Sequence, residues 1–285
     1  MLTLIARHPR YSPNSEARDE ALFRSLVMNF ALQGVSVATF DEAVFEHHPP
    51  QLEKSTLIVS MARSKAALQA LAAAEECGVP VLNSPRALQK AQRTDFQQWF
   101  AESGHVAKHW HTSELTPDRK ATLLFPLWWK RNNTATTSAN DVQFVEHLAQ
   151  LDTILSEHAN EDALVMEHID GQLAKFYGVV GTNFFHAEPH SPKGFSKFGH
   201  EQHNHHKDLA LSSPMWKQTL RAMHTAATQV AQQSGFSIYG GDAILRKDGT
   251  FVFIDFNDFP SFSACLPEAS AAIVQHSLSL LAKKR

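Results

Sequence analysis

Apolar and polar positions in the first third of the chain alternate between short apolar runs and amphipathic stretches. Leu2 to Ala6 is an apolar run ending at Arg7-His8-Pro9, which reads as a buried strand passing into a loop. From Glu16 to about Leu32 the residues Ala21, Leu22, Leu26, Val27, Phe30 and Ala31 recur at helical spacing, and Gly34 is placed to stop the helix. Val35 to Thr39 and Thr56 to Ser60 predict two further strands, Lys65 to Cys77 a helix, and Pro80 to Leu82 a fourth strand. This βαβ rhythm implies a small parallel sheet.

The rhythm changes after Pro85. Helices are expected over Ala87 to Gln92 and over Asp95 to Ser103, the latter closed by Gly104. Strands are expected at Leu124 to Lys130, Ala163 to His168, Lys175 to Val180, Asn183 to Ala187, Ala243 to Arg246 and Thr250 to Asp255, with helices at Asp141 to Glu157 and Ser213 to Ser234 between them. Lys247-Asp248-Gly249-Thr250 supplies a tight turn between the last two strands. The fold class is α/β, with a parallel βαβ unit over 1–85 and a second unit over 86–285.

Composition narrows the function. Of 285 residues 43% are hydrophobic and 19% charged, a balance that supports a sizeable core. No apolar run reaches the roughly 18 residues of a membrane helix, and the start MLTLIARHPR is charged too early for a signal peptide, so a cytoplasmic protein is expected. Cys77 and Cys265 form no CxxC pair, which argues against a disulfide framework or structural zinc; both are expected to be buried, reduced thiols. A formal net charge of −3 offers no general attraction for nucleic acid or anionic membrane, leaving a small molecule as the expected partner. Of the 17 histidines several crowd into His200-Glu201-Gln202-His203-Asn204-His205-His206, where imidazoles could chelate a metal, but the segment reads as a solvated loop.

Candidate chemistry concentrates in GGDAILRKDGTFVFIDFND. Asp242 is expected to begin one strand, and Asp255 and Asn257, two apart on its partner, share a face. Clustered carboxylates between apolar runs repel and desolvate each other unless a cation joins them, and magnesium shared with nucleotide phosphates would do so. Lys130 ends the apolar FPLWWK and precedes the small polar loop Arg131 to Ala139, a setting suited to phosphate. In ALVMEHIDG, Glu167 could accept from an exocyclic amine while Val165, Met166 and Ile169 wall a nucleotide cleft. Taken singly, each has a plainer reading: edge carboxylates capping a turn, a solvated loop, a core strand with a surface glutamate.

In type, order and approximate spacing, Lys130, Glu167 and the Asp242/Asp255/Asn257 triad, preceded by a βαβ unit ending GVPVLNSPRAL, resemble the ATP-grasp superfamily. The resemblance spans the whole chain. It implies a two-lobed grasp, with lobes about 86–180 and 181–285, following the small N-terminal domain. It also implies that Lys130 binds ATP phosphates, that Glu167, His168 and Ile169 form the adenine hinge, and that the triad holds Mg2+, or Mn2+ in its place. The superfamily's early lysine has no match; Arg93 stands nearest, with Lys90 three residues before it, and lies between two expected helices with little to fix it.

Two branches of the superfamily compete. GGDAILRKDG resembles a strand of the carboxylate–amine ligases, which would make Arg246 an anion stabiliser. IDFNDFPSF and LAKFYGVVG resemble segments of the inositol-phosphate kinases, which would set Lys175 against a substrate phosphate; in the ligase reading Lys175 is the alternative to Arg246 as oxyanion donor. Those kinases carry histidines five and ten residues after the ATP lysine, where this chain has Ala135 and Asn140, and the slightly acidic chain suits a polyphosphate poorly. A ligase is therefore expected, ahead of a kinase and of a nucleotide-binding protein without catalysis. Acceptor recognition is expected from the loops Arg7 to Ser15 and Met61 to Lys65, through Arg7, Arg10 and Arg63. Glu188 to Lys207 is a candidate lid that excludes water.

Overall fold

A computed structural model describes residues 1–133, 138–190, 198–200 and 212–283. The first sheet is parallel, in the order β2-β1-β3-β4, from β1 (Leu2–Ala6), β2 (Val37–Asp41), β3 (Leu57–Ser60) and β4 (Val81–Leu82). Helices α1 (Glu16–Leu32) and α2 (Lys65–Glu76) connect its strands, burying Leu22, Leu26 and Phe30 of α1 and Leu68 and Leu71 of α2. The second strand starts two residues later than its apolar run predicts. Gly34 takes φ +71° and the Val35 amide donates to the Phe30 carbonyl, so Val35 belongs to the closure of α1. Cys265 is buried as expected, but Cys77 is exposed, because it sits at the C-terminal cap of α2.

Helices α3 (Pro85–Lys90) and α4 (Arg93–Glu102) lead to an antiparallel sheet ordered β5-β8-β6-β7. Its elements are β5 (His109–His111), a short α5 (Pro117–Ala121), β6 (Leu127–Arg131), β7 (Val142–Val145), α6 (Leu148–Glu157) and β8 (Ala163–Glu167). Helix α4 begins at Arg93 and not at Asp95: the Asp95 carboxylate reaches back to the Gln92 amide and caps the helix from inside its first turn. The single helix expected over Asp141 to Glu157 is a strand and a helix. Val142–Val145 pairs with β6, and His147 then caps α6 by accepting from the Gln150 amide. Pairing across the sheet outweighs the weak helical pattern of this stretch.

The third sheet is antiparallel, β10-β9-β11-β12, from β9 (Gln172–Val179), β10 (Phe185–Pro189), β11 (Ile238–Leu245) and β12 (Phe251–Asp258), with α7 (Ser213–Ser234) packed on it. Asp242 lies in the middle of β11, not at its start. Gly240 and Gly241 are interior residues of this strand, where neighbouring strands crowd. A Cβ on Gly241 would strike the Asp255 carbonyl oxygen and lie 2.6 Å from Cζ of Phe176. The last helix, α8 (Leu266–Ala282), was not expected from the pattern. It returns to α1, where Ser270 meets Ser25 at 2.8 Å and Asn29 at 3.1 Å. One apolar core joins Leu4 and Phe30 of the first sheet and its helix to Val179 and Ile238 of the third sheet and Ile273 of α8. No helix among the described residues is long and apolar enough to cross a membrane.

Candidate functional site

The second and third sheets face each other across a cleft of about 430 Å³. Strand alternation supplies its walls: Leu173, Lys175 and Tyr177 project from β9, and Asp242 and Ile244 from β11. On β12 the register shifts between Asp242 and Ala243, so that Asp242 pairs with Asp255 and Ala243 with Phe253. The extra residue of this bulge, Ile254, lets Ile254 and Asp255 both line the cleft. Trp128, Val142, Met166 and Ile169 complete an apolar end. Val165, expected as a wall, packs behind the sheet against Trp129, Leu151 and Ile154, since it alternates with Met166.

Charged groups gather beside this end. Lys130 is 6% exposed and its Nζ donates to the Ile254 carbonyl at 2.8 Å. Burial, reinforced by the charge of Arg93, pushes its pKa down to about 8. Arg93 is not loosely held: it is 4% exposed, its Nη1 donates to Asp255 Oδ1 at 2.6 Å and its Nε to the Arg131 carbonyl at 3.0 Å. Burial works against the Asp255 carboxylate, yet Arg93 and Lys130 together outweigh it and hold the pKa below the ordinary aspartate value. Asn257 donates to the other Asp255 oxygen at 3.4 Å, and Lys175 Nζ stands 3.8 Å from Asp242.

The structure thus brings Arg93, Lys130, Glu167, Ile169, Lys175, Asp242, Asp255 and Asn257 to one cleft. Glu167 turns Oε1 to the Lys108 amide at 2.8 Å. His168 does not line the cleft; its Nδ1 accepts the Trp128 indole N–H at 3.1 Å and so braces an aromatic wall. Arg246 is not brought to the cleft either. Strand β11 ends at Leu245, which leaves Arg246 exposed in the hairpin turn with its amide bonded to the Thr250 carbonyl.

At the far end Arg7 and Arg63 line the cleft with Tyr11, Ser12 and Asp19. Arg7 donates to Asp19 at 2.9 Å and to the Phe259 carbonyl at 3.0 Å, while Arg63 pairs with Asp258 and is pushed down to about 10 by burial, against the pull of that carboxylate. Arg10 instead pairs with Glu46 at the surface. Of the expected lid, Glu188 to His190, Phe198 and His200 line the cleft; 191–197 and 201–207, with most of the histidine cluster, lie outside the described residues, as do 134–137, including Ala135. Asn140 is exposed.

Sequence reasoning missed Trp128, Leu173, Ile244 and Ile254 as cleft residues, and the partners Asp19 and Asp258 of the two arginines. The period of two from Leu173 through Lys175 to Tyr177 was a usable signal for that strand. Asp242, Asp255 and Asn257 offer hard oxygen donors. Among the described residues no group of three or more His, Cys, Asp or Glu could hold a metal by itself. The donor set therefore fits a cation completed by phosphate oxygens and water and does not fit an all-protein cage.

The sequence matches no protein-family model and no curated protein. The fold matches solved structures over nearly its full length. D-alanyl-alanine synthetase A from Vibrio cholerae superposes with a TM-score of 0.69 at 12% identity, covering 99% of this chain and 98% of that one. D-alanine–D-alanine ligase from Bacillus anthracis complexed with ATP gives 0.67 at 13%, covering 100% and 99%. A RimK domain ATP-grasp protein from Sphaerobacter thermophilus gives 0.66 at 18%, covering 97% and 99%. With its parallel first sheet and two facing antiparallel sheets, the chain has the ATP-grasp fold.

Proposed function

We propose that the protein is a Mg-ATP-dependent ligase that activates a small-molecule carboxylate as an acylphosphate for attack by an amine. The observation that carries this reading is the order of surfaces along one cleft. Along β12 an apolar slot of Trp128, Met166, Ile169, Leu173, Ile244 and Ile254 is followed by Asp255 with Arg93, Lys130 and Asp242, and then by Asp258 and the Phe259 carbonyl, which hold Arg63 and Arg7. An apolar slot suits a nucleobase, with Glu167 at its edge as an acceptor. Lys130 and Arg93 lie where phosphate oxygens would follow, and Asp242, Asp255 and Asn257 would hold Mg2+ against them. The bound cation supplies neutralisation of charge on the transferring phosphoryl group.

Arg7 and Arg63 then orient the carboxylate. Lys175, on the same face as Asp242, is the donor placed to meet the oxyanion that forms when an amine adds; Arg246 is too far along the hairpin for that role. A kinase acting on a polyphosphate would need excess positive charge at the acceptor end. There Asp19 and Asp258 neutralise the two arginines, which favours the ligase. Incubation with Mg-ATP and pooled carboxylic and amino acids, followed by mass analysis, tests the reading. A new amide formed with ADP supports it; a phosphorylated polyol as the sole product overturns it.

A further inference from the structure

A buried cation of the cleft, Arg93, sits on a proposed cation ligand, Asp255. Arg93 opens α4, whose first turn is fixed by the capping box and by the Thr94 amide donating to Asn132 Oδ1 at 2.9 Å. From there its guanidinium bridges the Arg131 carbonyl and Asp255 Oδ1. Asn257 presents an N–H to the second carboxylate oxygen. Both oxygens of Asp255 thus face donors, and the guanidinium side chain is only 5% exposed.

Charge balance sharpens the point. Five cations, Arg7, Arg63, Arg93, Lys130 and Lys175, line the cleft against six carboxylates, and Asp19 and Asp258 of these are already paired with Arg7 and Arg63. A bare dication entering the cleft meets only one carboxylate in excess of the cations and must approach a buried guanidinium closely, which is repulsive in a poorly screened site. Nucleotide phosphates reverse both conditions. They bring further negative charge and offer the planar guanidinium a bidentate partner of the kind it prefers.

We infer that the Arg93–Asp255 ion pair makes divalent-cation binding conditional on the nucleotide: the guanidinium holds the carboxylate until phosphates draw it away. This rests on the nucleotide-cleft reading given above. It assigns Arg93 a positioning role that fixes the order of binding, in addition to any phosphate contact.

The test is binding of Mn2+ alone to the full chain, read from loss of the free-ion paramagnetic resonance signal. Arg93→Gln is expected to bind Mn2+ at least about tenfold more tightly than wild type, as removal of one buried like charge implies. Arg93→Lys should behave as wild type, and Arg93→Gln with Asp255→Asn should lose the gain. Equal Mn2+ affinity in wild type and Arg93→Gln, or an Arg93→Lys variant as tight as Arg93→Gln, overturns the inference. Should Arg93→Gln fold poorly, thermal melting of the wild type carries the same test. Mg2+ alone should leave the midpoint unchanged and Mg2+ with a non-hydrolysable ATP analogue should raise it; a midpoint raised by Mg2+ alone overturns the inference. Nucleotide uptake is followed separately by calorimetric titration with the same ATP analogue. A wild type that binds nucleotide but fails these tests loses only the inference, whereas one that binds no nucleotide with or without metal loses the underlying reading as well.

Discussion

At the scale of single residues, the cleft is governed by buried charges that satisfy one another. Asp255→Asn should abolish ADP release in the ligase assay. It should also cost about 3 kcal/mol of stability, because a buried Arg93 is left without its countercharge. The fold is therefore not indifferent to this substitution, as an isolated metal ligand would be. Adding Arg93→Gln should restore much of the stability and none of the turnover, and denaturant melts with an ADP assay separate the two effects; wild-type turnover in Asp255→Asn would remove the proposed metal site. Lys130 gives a pH prediction. Burial lowers its pKa from the ordinary lysine value of 10.5 to about 8 on folding, so between these values the unfolded chain binds more protons and the contribution of Lys130 to stability rises with pH. Lys130→Met should flatten stability over that window relative to wild type. Nucleotide phosphates would favour the ammonium, so binding at about pH 8 should take up a proton in wild type and not in Lys130→Met. Calorimetry in buffers of different ionisation enthalpy measures this uptake; equal uptake in both proteins would place the phosphates elsewhere.

At the scale of elements, the β11–β12 hairpin carries the site because three strands close tightly around Gly240 and Gly241. Gly241→Ala should destabilise the protein by well over the roughly 1 kcal/mol associated with a glycine in regular structure. The added methyl collides with the Asp255 backbone and the Phe176 ring. It should weaken nucleotide binding in parallel, and a variant with wild-type melting and binding would show that the crowding is not as described. The same hairpin shows what was legible in the sequence. The Asp-Gly turn, the shared face of Asp255 and Asn257 and the nearness of Asp242 all follow from local rules. The bulge that turns Ile254 into the cleft follows from pairing with a neighbour, which no local pattern contains. β7 was hidden for the same reason: VQFV becomes a strand because β6 offers an edge. His168 follows Glu167 in sequence, yet it points to Trp128 because the strand ends at Glu167. Arg93 was misjudged because its anchors, Arg131 and Asp255, are 38 and 162 residues away.

At the scale of the whole molecule, the chain ends by folding back on its beginning. Helix α8 packs on α1, and Arg7 ties β1 to the carbonyl of Phe259 just past β12. Because one core unites the first and third sheets, Ile273→Ala, at a fully buried position of α8, should cost about 2–5 kcal/mol. It should shift a single unfolding transition; an early, separate loss of the N-terminal sheet would contradict the shared core. This closure also sets Arg7 and Arg63, just past β1 and β3, at one end of the cleft, which is what the proposed reaction needs. The most direct measurement of that reaction is hydroxylamine trapping with Mg-ATP across a panel of carboxylic acids. An acylphosphate is open to any small nucleophile that reaches it, so the account predicts ADP together with a hydroxamate of one carboxylate class, both lost in Lys130→Met. ADP formed with a phosphorylated hydroxyl compound, and no hydroxamate from any carboxylate, would contradict it.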